Sequence, residues 1–242
     1  MGLPQQFQSI VQQQLNVYAA WLPITNPYKL GDYGLISDGV FQKLGNIKDE
    51  FNVAFTEEAG QEASLSFVSD KATVIDIGTG AQINLTAQSD IKADVKYKFN
   101  QDKSFLIKAP VINVSQIANV NEVANHLKTI GQWRQTYKVI FQVYTAQNPL
   151  ILSTIDSDTE VTFKADATAL PTLNIGNASA NFSIQSTKAL GLELSGKTGV
   201  IAIGLFKLNW LTRNAVFLGD PTDERTDLKV ENISNKPLTD DL

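Results

Sequence analysis

The sequence predicts an α+β fold rich in β-structure: a twisted, mostly antiparallel sheet with long alternating hairpins and one to three peripheral helices. Two stretches, residues 82–99 and 159–194, alternate apolar with polar side chains. This two-residue period is typical of strands that bury one face. Two further stretches, residues 4–18 and 115–130, repeat apolar side chains at helical spacing. Glycine, proline and asparagine separate the short apolar runs elsewhere, as turns do.

Length and composition predict one β-rich domain over residues 1–219 and a polar, acidic tail over 220–242. The chain has 242 residues, of which 43% are hydrophobic, enough for a packed core. Its 25 acidic and 20 basic residues give a net charge of −5, which argues against a nucleic-acid partner. The absence of cysteine excludes disulfides, thiolate metal sites and cysteine nucleophiles. No secretory signal is apparent, and no stretch approaches the ~20 apolar residues of a membrane helix, so we do not expect a helical integral membrane protein.

The first third of the chain predicts one helix followed by short strands. Residues 4–18 begin with proline, which suits a first helical position, and their polar face lacks lysine and arginine. We therefore expect this helix to pack on the protein's own core rather than on a membrane surface. Residues 17–24 read as a strand, and residues 28–49 as tight strand pairs with a hairpin turn at Asp38-Gly39.

The middle and end of the chain predict further strands around one longer helix. Residues 62–99 read as two antiparallel arms around Gly78-Thr79-Gly80, and residues 105–107 as a short strand that ends before Pro110. Residues 115–130 predict a helix of about four turns. A central strand at 137–144, the alternating stretch 159–194 with a turn near Gly176, and a final strand at 199–210 follow.

One motif resembles a cofactor-binding loop. Residues 74–81, Val-Ile-Asp-Ile-Gly-Thr-Gly-Ala, are similar to the first motif of methyltransferases that use S-adenosylmethionine, in which a strand delivers a glycine loop to a helix. Here Gln82 replaces a third glycine, and a strand pattern follows where the motif requires a helix. We therefore interpret the motif as a hairpin turn.

No residue pattern indicates catalysis, metal binding or a cofactor, so the chain is predicted not to be an enzyme. His126 is the only histidine, and one histidine without cysteine cannot build a multi-histidine metal site. A nucleophile elbow and a phosphate-binding loop are also missing from the sequence. The paired carboxylates lie in predicted loops or in the tail, where solvated charge is their simplest role.

The alternating stretches carry the functional prediction. A membrane-spanning strand needs about 9–11 residues of alternation, and both stretches are long enough and rich in small residues. Strands in lipid cannot leave backbone groups unpaired, so such arms would assemble from many subunits. A soluble β-sandwich alternates in the same way, with its apolar face on the core. The candidate membrane-facing residues are the apolar members of the two stretches: Ile83, Leu85, Ala87, Ile91, Ala93, Val95, Phe163, Ala165, Phe182 and Ile184.

The order of elements resembles the bacterial gasdermins. Two alternating regions flank a helix-and-strand segment, and residues 176–208 combine a small-residue arm, a glycine and a strand ending in an apolar-basic run. The resemblance implies a cytoplasmic, autoinhibited pore-forming protein, which an activating protease releases by cutting a short C-terminal tail. The released form would bind membrane lipid and self-associate into an oligomer. Candidate cleavage points are Arg213, Arg225 and Lys229.

The chain departs from this family in one respect. Bacterial gasdermins often carry an N-terminal cysteine for lipidation, and this chain has none; Gln6 also breaks the N-myristoylation pattern after Gly2. Three functions therefore stand side by side. The first is a latent pore-forming protein that inserts β-hairpins into a membrane, the second a soluble β-sandwich structural or binding module that self-assembles or binds a protein, and the third a methyltransferase.

Overall fold

The computed structural model describes residues 2–69, 72–83, 91–92, 95–165, 172–173, 182–209 and 215–218. The helices are α1 Leu3–Leu15, α2 Ile47–Phe51 and α3 Val120–Leu127. The strands are β1 Tyr18–Ala19, β2 Asp32–Ser37, β3 Val40–Asn46, β4 Glu57–Ala59, β5 Ala63–Val68, β6 Ala72–Asp76, β7 Gln82–Ile83, β8 Ile91–Lys92, β9 Val95–Phe99, β10 Phe105–Ile117, β11 Lys138–Gln147, β12 Leu150–Thr154, β13 Thr159–Ala165, β14 Thr172–Leu173, β15 Phe182–Ser186, β16 Leu190–Ser195, β17 Gly199–Leu208 and β18 Ala215–Leu218. Strand pairing is mostly antiparallel and helices are few, so the predicted fold class is confirmed.

Contacts divide the chain into two compact units. The first consists of Met1–Leu3, Ala63–Ile112 and Ala146–Thr198, and the second of Pro4–Glu62, Asn113–Thr145 and Gly199–Leu242. Residues 105–112 of β10 and 146–147 of β11 belong to the first unit, and the remainder of each strand to the second. The predicted boundary between a body at 1–219 and a tail at 220–242 stays a prediction.

The second unit is a sheet that buries apolar side chains along its central strands. Its strands run in the order β1-β17-β11, with β18 paired to β17 and the β2–β3 hairpin paired to β11. Phe141, Phe206 and Phe217 form a trio whose ring centroids lie 4.5–6.5 Å apart. Every residue of β18 is buried, so this short strand belongs to the core.

Helix α1 packs as its pattern predicts. Phe7, Ile10 and Val11 are buried, and the Gln8 side chain, also buried, accepts a hydrogen bond from the Ala19 N–H at 2.7 Å. The strand predicted for residues 17–24 is limited to β1, which pairs with β17.

The β2–β3 hairpin confirms the turn predicted at Asp38-Gly39. Both turn residues have positive φ, 51° and 74°, which the tight two-residue hairpin turn requires. At the other end of the hairpin, the buried Asp32 carboxylate pairs with Lys43 at 2.9 Å and accepts from the Asn46 side chain at 2.9 Å and the Lys29 N–H at 2.9 Å. These contacts tie the ends of β2 and β3 to the preceding loop.

Two sequence predictions near β10 are wrong. The strand does not end before Pro110 but continues to Ile117, because the proline lies where the pairing with β5 is irregular, between Ala109 and Ile112. A proline is tolerated at such a point because the ladder does not need its missing N–H there. The following helix is shorter than four turns, since Ser115 and Ile117 pair with β4 and leave only Val120–Leu127 to α3.

Candidate functional site

Four antiparallel segments, here called arms 1 to 4, make up most of the first unit. Arm 1 is β5 and β6, arm 2 is β9 and the first part of β10, arm 3 is β12 and β13, and arm 4 is β15 and β16. Each arm pairs with the next: arm 1 with arm 2, arm 2 with arm 3, and arm 3 with arm 4. Arms 1 and 2 are here called one ribbon, and arms 3 and 4 the other. The described parts of the two alternating stretches meet where Val95–Phe99 of arm 2 pairs with Thr159–Ala165 of arm 3.

Strand β6, which belongs to the hairpin predicted for residues 62–99, pairs along both of its edges. Val74 lies opposite Ile83 across the Gly78-Gly80 turn, in a ladder that includes two pairs among the described residues. On its other edge, β6 pairs with β9 from Ala72↔Phe99 to Asp76↔Val95. Arm 1 therefore has residues 95–112 as its long partner, because register depends on contacts between distant residues that no local turn signal reports.

All four arms are interrupted at the same level. Leu106 follows Phe99 by seven positions on arm 2, whereas their partners Val68 and Ala72 are four positions apart on arm 1. Arm 3 likewise needs seven residues, Thr154 to Val161, where arm 4 needs four. Between arms 2 and 3 the register is unchanged across the interruption. The two inner arms thus each carry three additional residues at this joint.

Hydroxyl side chains complete the hydrogen bonding at the joint. Ser69 Oγ accepts from the Phe105 N–H at 2.8 Å, and the Ser69 N–H donates to the Phe105 carbonyl at 3.0 Å. Thr154 Oγ1 accepts from the Ser104 N–H at 3.0 Å, and Thr187 Oγ1 from the Glu160 N–H at 3.0 Å. One reciprocal pair therefore links each neighbouring pair of arms, so the interruption leaves these backbone donors satisfied.

One face of the arms covers a hydrophobic core. Val95, Tyr97 and Phe99 are buried and alternate with half-exposed lysines, as the sequence pattern predicts. On arm 3, Val161 and Phe163 are fully buried in the same cluster, and Ile184 of arm 4 packs against it. Burial raises the pKa of Tyr97 to about 12, because the phenolate would lose its hydration there.

The opposite face is polar, and its charges are paired across arms. Lys96 forms an ion pair with Glu160 at 2.8 Å, and Lys98 approaches Asp158 at 3.8 Å. The alternating sequence pattern predicted that these two lysines share one face of the strand. Their acidic partners belong to another part of the chain, and only the register between arms 2 and 3 identifies them.

The glycine motif at residues 74–81 is a turn between two strands. Asp76 Oδ1 accepts from the Thr79 N–H at 2.8 Å, and the Gly80 N–H donates to the Asp76 carbonyl at 2.8 Å. Strand β7 follows directly and pairs with β6, so the first residues after the turn form a strand where the methyltransferase motif requires a helix. The interpretation as a hairpin turn is confirmed.

The predicted membrane-facing residues fall into three groups. Val95, Phe163 and Ile184 lie on the apolar face of the arms, in or against the core. Four others belong to strands whose backbone alone is described: Ile83, Ile91, Ala165 and Phe182. The remaining three, Leu85, Ala87 and Ala93, lie outside the described residues, as do the cleavage candidates Arg213, Arg225 and Lys229.

Strands β8 and β14 pair in a different register from their arms. Lys92 lies opposite Thr172 and Ile91 opposite Leu173. Lys92 precedes Lys96 by four positions, whereas Thr172 follows Thr162 by ten positions, although Lys96 pairs with Thr162 and Lys92 with Thr172. The β8–β14 pair is therefore six residues out of register with the β9–β13 pair.

The described residues contain few other candidate sites. His126 is exposed on α3. A groove of 440 Å³ in the second unit is lined by apolar, polar and oppositely charged residues: Lys29, Leu30, Asn46, Lys48, Asp49, Phe55, Glu57, Ser115 and Val143. Over the described ranges, no three acidic or histidine side chains are grouped as metal ligands would be. In the same ranges, no helix combines the length and hydropathy needed to cross a bilayer.

Comparison with known proteins gives a distant likeness. No family model matches the chain. No curated protein matches it either. Among solved structures, a bacterial gasdermin from Bradyrhizobium tropiciagri is similar over 88% of this chain and 90% of that chain, with 12% sequence identity and a TM-score of 0.38. The chain thus has the distant resemblance to a bacterial gasdermin that its sequence pattern predicts.

Proposed function

We propose that this chain is a non-enzymatic, gasdermin-like pore-forming protein, latent in the cytoplasm until a protease cuts its C-terminal tail. It then inserts β-hairpins into a membrane and assembles into an oligomer. The observation that supports this most directly is the register of arms 3 and 4. The β13–β15 ladder runs from Val161↔Ser186 to Ala165↔Phe182.

Continued along the sequence, that register would extend one uniformly apolar face. Residue 167 would lie opposite 180 and residue 169 opposite 178, and all four are alanines. The extended arm from 161 to 171 has the ~9–11 residues that a membrane-spanning strand needs. The intervening polar positions would face water, as the outer face of these arms does in the folded chain.

A second function, a soluble β-sandwich module that binds a protein partner or itself, is favoured by a different observation. Val95 and Phe163, two of the candidate membrane-facing residues, are buried in the core of the first unit, as ordinary core residues of a soluble protein are. The two functions differ in whether residues beyond 165 ever meet lipid.

Dye release from liposomes tests the proposal. The full chain carries a recognition sequence for a site-specific protease, inserted after Asp220, and leakage is measured before and after cleavage. We expect leakage only after cleavage. Ala167→Arg places a charge on the apolar face and should lower leakage at least tenfold, since a lipid-facing arginine costs about 2–4 kcal/mol at the bilayer midplane. Thr168→Arg is the matched control on the polar face and should leak like the parent.

Two results would contradict the proposal. Leakage by neither the intact nor the cleaved chain would refute pore formation and favour the soluble module. Equal leakage by Ala167→Arg and Thr168→Arg would refute the assignment of the lipid-facing side. Circular dichroism of both variants confirms that each compared protein is folded.

A further inference from the structure

The side chain of Leu3, the first residue of α1, packs on arm 4 beside the joint. A Cβ added to Gly191 would lie 2.7 Å from Leu3 Cδ1, closer than two carbon atoms pack. It would also lie 3.0 Å from Ser153 Oγ on arm 3 and 3.2 Å from Ile155 Cγ1 in the joint. Leu3 belongs to the first unit, so this contact forms within that unit. The absence of a side chain at position 191 therefore gives Leu3 its place.

Gly191 is the extra residue of a β-bulge. Ser153 pairs with Leu192 and Thr154 with Leu190, so Gly191 has no counterpart on arm 3. A bulge disrupts the ladder locally, and a glycine within a strand often marks a place where another group approaches the backbone closely. The φ of Gly191 is not positive, so its backbone conformation does not require glycine. The space that Leu3 fills does.

The hydroxyl of Ser153, beside this contact, is buried among apolar side chains. Ser153 is 0% exposed and shares its face of the sheet with Phe105, directly opposite, and with Ile151, both fully buried. Within the part of the chain that the structure describes, Ser153 Oγ has no hydrogen-bond partner. A buried hydroxyl without a partner is unfavourable, because it has lost its bonds to water and has not replaced them. An opening that admits water to Ser153 would restore them.

We propose that Leu3 is a wedge that keeps the joint of arms 3 and 4 closed over Ser153, and that its withdrawal precedes the insertion of these arms. The apolar contact of Leu3 favours the closed joint, whereas the unpartnered hydroxyl favours opening. The joint therefore opens locally, without unfolding of the rest of the chain. The first part of the proposal concerns the folded chain alone, and the second rests on the proposed function, since insertion is the event it precedes.

A single thiol reports the opening, because the chain has no cysteine of its own. Ser153→Cys is made in the intact chain, and its reaction with a maleimide is timed. Adding Leu3→Ala should speed the reaction about tenfold, which corresponds to about 1.4 kcal/mol. Gly191→Ala should act in the same direction, since its Cβ displaces Leu3 Cδ1. Gly131→Ala is the matched control: no described atom lies within 4 Å of its new Cβ, so the rate should stay within about twofold.

Three comparisons separate a wedge from ordinary packing. Leu3→Ala combined with Gly191→Ala should open the joint no faster than either change alone, because the shorter side chain leaves room for the new Cβ. Ala109→Cys places the thiol at another buried position of the first unit, where Leu3→Ala should not change the labelling rate. Hydrogen exchange of the Thr154 N–H, which donates to the Ser104 carbonyl at 2.9 Å, follows the same opening in the chain without a thiol.

Leakage tests the link to insertion, in the full chain with the protease site inserted after Asp220. After cleavage, Leu3→Ala should shorten the delay before leakage at least about threefold. Ser153→Ala should lengthen the delay about fivefold, since it removes the hydroxyl that favours opening. Ser195→Ala, an exposed serine on β16, is the control for that change and should leak like the parent.

Other outcomes identify which idea fails. A labelling rate at position 153 that Leu3→Ala leaves unchanged, or raises equally at position 109, overturns the wedge. Faster labelling with an unaltered delay before leakage overturns the link between the wedge and insertion while leaving pore formation intact. Leakage by none of the cleaved proteins, the parent included, overturns the proposed function and that link, whereas labelling of the intact chain decides on the wedge itself.

Discussion

Replacing Phe217 by alanine tests whether β18 is an integral part of the folded body. The side chain is 1% exposed, and its ring lies 4.5 Å from that of Phe141 and 6.5 Å from that of Phe206, measured between centroids. Truncating a buried phenylalanine costs about 3–5 kcal/mol. For a chain of this size, 1 kcal/mol corresponds to roughly 2–4 °C, so Tm should fall by about 6–20 °C.

Differential scanning calorimetry or thermal circular dichroism measures the change. Leu44→Ala is the control: Leu44 is 51% exposed on β3, and its truncation should cost no more than about 0.5 kcal/mol. A fall of less than about 3 °C for Phe217→Ala, or equal falls for both variants, would show that β18 contributes little to the core.

The contribution of β18 to stability also distinguishes the three predicted cleavage points. Arg213 lies between β17 and β18, so a cut there leaves β18 attached only by non-covalent contacts, namely its pairing with β17 and the packing of Phe217. Arg225 and Lys229 follow β18 in the chain, so cuts at these points leave its covalent link intact. We therefore expect a protein cleaved at Arg213 to lose thermal stability, and one cleaved at Arg225 or Lys229 to keep it.

Two further predictions concern titration and a buried carboxylate. Because the pKa of Tyr97 is raised to about 12 in the folded state, against ~10 when unfolded, stability should hold below pH 10 and fall between about pH 10 and 12. Tyr97→Phe should remove that part of the fall in denaturant titrations; an unchanged profile would contradict it. Asp32→Ala should lower the free energy of unfolding by about 3 kcal/mol, since the contacts of this buried carboxylate with Lys29, Asn46 and Lys43 are lost. Lys43→Ala, which removes only the part-exposed partner, should cost under about 1 kcal/mol by the same measurement, and equal costs would refute this account.

Local patterns in the sequence predicted local structure well. The alternation of residues 95–99 and 159–163 gave the buried and exposed faces correctly, because a strand's period depends only on its own backbone. Asp38-Gly39 was predicted as a turn because few residues adopt the positive φ that it needs. The extent of α3 was missed because Ser115–Ile117 pair with β4, more than fifty residues earlier in the chain.

The register between strands distant in the chain could not be predicted from the sequence. The Gly78-Gly80 turn suggested that residues 62–77 pair with the residues directly after it, and Val74 and Ile75 do pair with Ile83 and Gln82. The longer ladder of β6 with β9 depends on packing in the shared core, which no window of sequence contains. For the same reason the ion pair between Lys96 and Glu160 could not be named in advance, although each residue's face could.

The joint in the arms constrains how this protein can change over evolution. The inner arms keep their mutual register only because each has the same number of residues, five, between Phe99 and Phe105 and between Ser153 and Thr159. A deletion in residues 100–104 alone would slide one ribbon along the other and break every pair beyond it. Homologous chains should therefore gain or lose residues in 100–104 and 154–158 together, as compensated length changes. The outer arms impose no such coupling on each other.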